Sequence, residues 1–206
     1  MELTAAVILA GGAARRMGGG DKGLLQIGGR PILTYVIARL RPQTSVVALS
    51  ANGDPARLAA FDLPILSDGA FVGAGPLAGI LAGMRWARGL APRIEVLLSV
   101  PTDTPFLPLD LLSKLTIAGH KTGAPVALAA SGGRTHFTAA LWSLALADDL
   151  ERALEEGLRR VEQFAESHRP TIVDFPADPI DPFFNINRPE DLIRAEDMAA
   201  RQALAP

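Results

Sequence analysis

Residues 5–9, AAVIL, form an unbroken apolar run, and the chain turns from it at once into glycine and cation. Between Gly11 and Lys22, twelve positions hold five glycines, two arginines and one lysine. A short apolar run without polar alternation is expected of a strand covered on both faces, as in a parallel sheet. In open α/β sheets ligands sit beyond the carboxyl ends of strands, where a glycine-rich turn lets backbone N–H groups approach phosphate closely. Arg15, Arg16 and Lys22 supply counter-charge, arginine as a planar fork and lysine as a point charge. The other reading at this point is a glycine-rich surface loop with solvated charges.

Two common phosphate motifs are absent. A Walker A loop needs G-x-x-x-x-G-K-[ST], but Lys22 lies between Asp21 and Gly23. The dinucleotide fingerprint G-x-G-x-x-G is not supplied by Gly11-Gly12-Ala13-Ala14.

Strand-like and helix-like runs alternate through the rest of the chain. Strands are expected at Ala5–Leu9, Ser45–Ser50, in LPILSD (63–68), at Ile94–Val100, in APVALAA (124–130) and in PTIVDF (170–175). SGGRTHFTAALW (131–142) reads as a turn followed by an antiparallel strand. Helices are expected from Pro31, from Pro76 to about Gly89, over 108–119, and from Pro189, with proline well placed at a first helical position. Residues 147–168 read as one or two solvent-facing helices carrying i, i+4 charge pairs, with Gly157 as a break. The expected architecture is α/β: one Rossmann-like three-layer domain over residues 1–206, with a mostly parallel central sheet and a small antiparallel addition.

Composition narrows function by exclusion. Hydrophobic residues make up 49% and charged residues 20% of the 206, enough for a substantial core. A net charge of −2 argues against general binding of nucleic acid or anionic membrane. With no cysteine, disulfides, thiolate zinc sites and cysteine nucleophiles are excluded. The start lacks a signal peptide's pattern, and no apolar run reaches the roughly 18 residues of a membrane span, so a soluble cytoplasmic protein is expected.

Several positions carry chemistry. Asp103, in PTDTP just after the most convincing central strand, suits either a Mg²⁺ ligand or a turn cap. Asn187, with Asn185 beside it in FFNINRP, suits a second metal or phosphate contact, or a cap for the helix at Pro189. Asn52 and Asp68 end strands, where each reads as a site residue or a plain turn residue. Gly75, Pro76 and Gly79 open a helix whose free N–H groups face a cleft, or else pack it closely against the sheet. His120, His136 and His168 have no metal-ligand spacing and read as incidental, although His136 in GGRTH borders the expected acceptor side. No G-x-S-x-G elbow is present.

The run L-A-G-G-x-x-x-R-M-G-x-x-x-K, Leu9 to Lys22, resembles the signature loop of nucleotidyltransferases that join a nucleoside monophosphate to a phosphorylated acceptor. With GPLAGI (75–80), VPTDTPFLP (100–108) and FFNINRPEDL (183–192) in the same order, nearly the whole chain resembles the molybdenum cofactor guanylyltransferases, of the nucleotide-diphospho-sugar-transferase-like fold. The family often has Cys-Asp where this chain has Thr102-Asp103, so the carboxylate is kept. The resemblance implies transfer of GMP from GTP to molybdopterin with release of pyrophosphate, in the presence of Mg²⁺. It implies nucleotide contacts at Leu9, Ala10, Gly11, Gly12, Lys22, Asn52, Asp68 and Asp103. Acceptor contacts are implied at Gly75, Pro76, Gly79, Asn185 and Asn187. The resemblance gives the catalysis to Arg16, Lys22 and Asp103, with Asp103 as metal ligand and Asn187 as a candidate second. Contacts with other molybdenum-cofactor biosynthesis proteins and molybdoenzyme chaperones follow from the same resemblance. The same chemistry with CTP and a non-catalytic nucleotide-binding relative remain as alternatives; retention of Lys22 and Asp103 speaks against the second.

Overall fold

The computed structural model describes residues 3–11, 21–90 and 94–202. Its main sheet has seven strands: β1 (Ala5–Leu9), β4 (Val46–Ser50), β5 (Ile65–Leu66), β6 (Val96–Pro101), β7 (Val126–Ser131), β8 (Arg134–Ser143) and β9 (Thr171–Phe175). They lie in the order β5-β4-β1-β6-β8-β7-β9, and every pairing is parallel except the two made by β8. A second sheet is the small antiparallel hairpin of β2 (Gln26–Ile27) and β3 (Arg30–Pro31). Its two-residue loop, Gly28–Gly29, has φ of 55° and 79°, the left-handed pair that a tight hairpin turn of matching twist requires.

The helices are α1 (Ile32–Leu40), α2 (Pro76–Leu90), α3 (Leu111–Thr122), α4 (Ala147–Glu155), α5 (Val161–Ser167) and α6 (Pro189–Gln202). They cover both faces of the sheet, which is why its central parallel strands β1, β4 and β6 read as largely apolar runs. Along β1, Ala6 and Ile8 enter the core shared with α1 and α3, while Ala5 and Val7 enter the core shared with α2, α4 and α5. The same alternation splits Ala127 and Ala129 from Val126 and Leu128 on β7. The layers are therefore helix, sheet, helix.

Helices α4 and α5 differ from the solvent-facing expectation. Ala147, Leu150 and Leu154 of α4 and Val161, Phe164 and Ala165 of α5 are buried, so only one face of each meets water. Two of the charges on α4 reach another helix, Asp148 pairing with Arg88 of α2 at 2.7 Å and Glu151 with Arg85, while Asp149 pairs with Arg152 within α4.

Among the described residues, strand β8 carries the sheet's one register shift. Its register against β7 shifts between Leu128 and Ala129, leaving Phe137, Thr138 and Ala139 unmatched. The buried Ser99 hydroxyl donates to the Thr138 carbonyl at 2.9 Å and accepts from Trp142 Nε1 at 2.8 Å. Without that hydroxyl the buried Trp142 indole N–H would go unpaired, at a cost of about 1–3 kcal/mol.

Leu9 sits level with Ser50 on one side and Pro101 on the other. The residues that follow these three therefore leave the sheet along one rim. Because the strand order reverses at β1, that rim contains the switch point at which open α/β sheets bind ligands.

Candidate functional site

Lys22 returns to this rim in a single 3-10 turn, Lys22–Leu24, held by Leu25 N–H on the Lys22 carbonyl at 3.2 Å. The next residue, Gly23, is buried against Thr102; a Cβ there would lie 2.7 Å from Thr102 Oγ1. This close approach brings the Lys22 ammonium to the end of β6. Its Nζ donates to Asp103 Oδ2 at 2.9 Å and to Asn187 Oδ1 at 2.5 Å. Residues from three distant parts of the chain thus meet at one ammonium.

Asp103 is buried, 7% exposed. Burial raises its pKa above the usual carboxylate value; the hydrogen bond and charge of Lys22 oppose the rise, with a smaller opposing contribution from the Asn185 side chain. Its second oxygen, Oδ1, is buried without any hydrogen-bond partner, as is Thr102 Oγ1. A buried anionic oxygen with no donor is a position suited to a hard cation. Among the described residues no three His, Cys, Asp or Glu side chains gather as a metal cage. A cation on Asp103 would therefore draw its other oxygens from neutral groups such as the nearby Asn187 amide, from water and from substrate, which is the usual situation of Mg²⁺ at phosphate.

The loop bearing the two asparagines is tied to the same place. Ile186 N–H donates to the Asp103 carbonyl at 3.0 Å. Asn187 is not the cap of α6 through its side chain, which is occupied by Lys22. Instead Asp191 Oδ2 accepts from the N–H groups of Asn187 and Arg188, both at 3.0 Å, and fixes the helix start from inside. Asn185 is exposed.

Asn52 and Asp68 meet each other. Asn52 Nδ2 donates to Asp68 Oδ2 at 2.6 Å, and Asp68 N–H donates to Asn52 Oδ1 at 3.0 Å. Ser50 adds its hydroxyl to Asp68 Oδ1 at 3.2 Å. The ends of β4 and β5 are thereby stapled, with a carboxylate and an amide at the rim. Beneath them Gly79 of α2 is buried so tightly that a Cβ would collide with Ser50 Oγ and lie 2.9 Å from Leu9 Cδ2. Close packing accounts for this glycine. Gly75 and Pro76 are exposed at the start of α2, Gly75 with φ of 79°. Ala10 is buried, its N–H on the Ser50 carbonyl at 2.8 Å, and Gly11 is exposed with no neighbour where a Cβ would stand. Gly12 and Arg16 lie outside the described residues, as do Arg15, Gly18 and Gly19.

Two features escaped the sequence reading. Arg57, in the 3-10 segment Pro55–Phe61, donates through Nε to Asp21, through one terminal nitrogen to the Asp54 carbonyl at 2.5 Å and through the other to the Asn52 carbonyl at 2.8 Å. It joins the returning limb of the glycine-rich loop to the Asn52–Asp68 pair. The second is His136, read as incidental, whose Nε2 lies 2.8 Å from the buried Ser131 hydroxyl.

Residues 6–171 match the family model described as MobA-like NTP transferase domain. Over 192 residues the chain is 54% identical to a protein of Acidiphilium cryptum (strain JF-5) named molybdenum cofactor guanylyltransferase, covering 93% of each chain. A protein of the same name from Rhodopseudomonas palustris (strain BisB5) is 50% identical over 201 residues, 97% of this chain and 96% of that one. In fold, the molecule is similar to the crystal structure of molybdopterin-guanine dinucleotide biosynthesis protein A from Archaeoglobus fulgidus, with a TM-score of 0.77 over 96% of this chain and 100% of that one, at 24% identity.

Proposed function

Because this chain belongs to the MobA-like NTP transferase family, we propose that it is a molybdenum cofactor guanylyltransferase, moving GMP from GTP to the phosphate of molybdopterin. The observation that carries the reading is the Lys22 ammonium held between Asp103 and Asn187 at the sheet's switch point. One cation there is shared between the strand end that suits the nucleotide phosphates and the loop that suits the acceptor.

The reaction needs little covalent help. The acceptor phosphate, already anionic at neutral pH, attacks the α-phosphorus, and pyrophosphate leaves from the opposite side. Catalysis of such transfers rests on alignment and on neutralising charge as it develops. Lys22 turns from Asp103 and Asn187 toward the phosphates, and Arg16 adds a second positive charge. Asp103, with Asn187 as a candidate partner, would hold Mg²⁺, which supplies Lewis-acid polarisation and a template for the phosphate oxygens. Asn52 and Asp68 present fixed polar groups to the nucleotide, while Gly75, Pro76 and Asn185 line the acceptor side. Leu9, Ala10, Gly11 and Gly12 give backbone at close range to the nucleotide.

On this reading the whole chain works as one domain, in the cytoplasm, in contact with other molybdenum-cofactor biosynthesis proteins and with molybdoenzyme chaperones. Among the described residues no helix is long and apolar enough to cross a membrane.

The test is direct. The purified protein is supplied with molybdopterin, Mg²⁺ and either GTP or CTP, and dinucleotide and pyrophosphate are measured. Guanine dinucleotide from GTP with little product from CTP is expected. Equal or greater use of CTP overturns the guanylyl assignment, and no transfer from either nucleotide overturns the transferase assignment.

A further inference from the structure

Ser131 ends β7 and is 1% exposed. Its hydroxyl lies 2.8 Å from His136 Nε2 and 2.6 Å from Asp181 Oδ1. A serine hydroxyl has one proton to donate, and an ionised carboxylate can only accept. The Ser131 proton therefore points to Asp181, and His136 Nε2 must carry the hydrogen that it gives to Ser131. The tautomer follows from its partners. This order, histidine to serine to aspartate, also rules out a hydrolytic triad, where the histidine must accept the serine's proton.

The chain of bonds continues into the asparagine loop. Asp181 Oδ1 also accepts the N–H of Phe183 at 3.0 Å. The rings of His136 and Phe183 stack at 4.5 Å, 24° apart, and Phe175 meets Phe183 edge-on at 5.5 Å. Two residues beyond Phe183 comes Asn185, then Ile186 and Asn187, which are fastened to Asp103 and Lys22. The loop 181–187 is thus gripped at both ends: by the β7–β8 hairpin at one and by the reaction centre at the other. Nothing in the chemistry assigned above uses the first grip.

We propose that His136 is a positioning residue, which through Ser131, Asp181 and Phe183 sets the part of the loop presenting Asn185, and so governs affinity for the acceptor rather than for the nucleotide. This rests on the reading that Asn185 lines the acceptor side. His136 touches no reacting atom. It holds the scaffold of groups that do, and small misplacements of such groups are enough to slow a transfer up to about a hundredfold.

The experiment pairs two readouts on the full chain. Amide hydrogen exchange of residues 183–187 is measured without substrates in wild type, His136→Phe, His136→Gln and Ser131→Ala. Steady-state rates are then measured with each substrate varied in turn. His136→Phe keeps the stack but loses the donor, and His136→Gln restores a donor at similar reach. Thermal melting shows which variants are folded, and Ser131→Ala serves if the ring replacement does not fold. Expected are exchange at 183–187 faster by about tenfold in the Phe and Ala variants, a raised KM for the acceptor at an unchanged KM for the nucleotide, and recovery of both in the Gln variant. Unchanged exchange in both variants, or a nucleotide KM that rises in step with the acceptor KM, overturns the proposal. If wild type makes no dinucleotide, the functional reading fails, while the exchange result still decides whether His136 sets the loop.

Discussion

Lys22 Nζ lies 2.9 Å from Asp103 Oδ2, and the side chains are only 17% and 11% exposed, so a buried-side carboxylate and the one ammonium beside it neutralise each other before any substrate arrives. Removing either member has opposite consequences for stability and the same consequence for turnover. Lys22→Met leaves the Asp103 carboxylate buried and unpaired, at a cost of about 1–3 kcal/mol. Asp103→Asn removes a group whose pKa burial has raised. Such a group favours folding when protonated and loses that contribution as pH rises, so its neutral replacement melts at or above the wild-type temperature at pH 7. Both variants are expected to lose about a hundredfold or more in turnover. Thermal melts and initial rates check this, and near-wild-type transfer by either variant contradicts the assigned chemistry.

Arg57 makes three directional contacts, to Asp21 and to the carbonyls of Asp54 and Asn52. Arg57→Ala is expected to raise the nucleotide KM by about fivefold, what roughly 1 kcal/mol of a partly exposed pair gives, while leaving the acceptor KM alone. Arg57→Lys is not expected to rescue it, because a point charge cannot make three fixed contacts. Full rescue by lysine would mean that charge alone matters here.

At Gly23, a Cβ would press on Thr102 Oγ1 at 2.7 Å. Gly23→Ala is expected to destabilise the fold by about 1–3 kcal/mol through overpacking. Adding Thr102→Ala removes the colliding oxygen, itself buried without a partner, and should recover most of the loss. Urea unfolding of the two single variants and the double variant measures the coupling; additive losses would disprove the contact.

His136 has a pKa below its ordinary 6.5, chiefly from burial, with the Asp181 charge opposing and Arg134 adding to the shift. A histidine with a depressed folded pKa contributes stability that is full above about 6.5 and is lost as pH falls toward its folded value. His136→Phe should therefore show a flatter fall in melting temperature between pH 7.5 and pH 5 than wild type. Parallel curves would show that His136 takes up its proton equally well folded and unfolded.

The layered fold was legible because burial on both faces leaves a plain mark. AAVIL, VVALS and VLLSV have no polar alternation, and only a covered sheet tolerates that. The antiparallel β8 was legible from the Gly132–Gly133 turn before it. The β2–β3 hairpin was missed, although Gly28–Gly29 is a hairpin signal too, because strands of two residues are too short to display a period. In α4, charge was read as solvation, but Leu150 and Leu154 lie four apart on one face and define a buried stripe.

The pieces of the candidate site were legible one by one, and their connections were not. Nothing local to NGDPARLAAF predicts that Arg57 reaches Asp21, 36 residues away. Nor does GGRTH reveal that His136 meets Ser131, whose own partner Asp181 is 50 residues further on. Residue type and strand-end position can nominate a side chain. Only the fold decides what it touches.

The separations within the central cluster also bear on how the molecule assembles. Lys22 reaches Asp103 across 81 residues and Asn187 across 165, whereas the β7–β8 hairpin closes over a two-residue turn. Closing longer loops costs more chain entropy before any contact rewards it, so local pairs form first and distant ones late. An incomplete chain emerging from the ribosome can form the hairpin with Asn187 still unmade, but it cannot assemble the ammonium's two partners. The Lys22–Asp103–Asn187 cluster is thus completed only with the last loop, after most of the sheet has been synthesised.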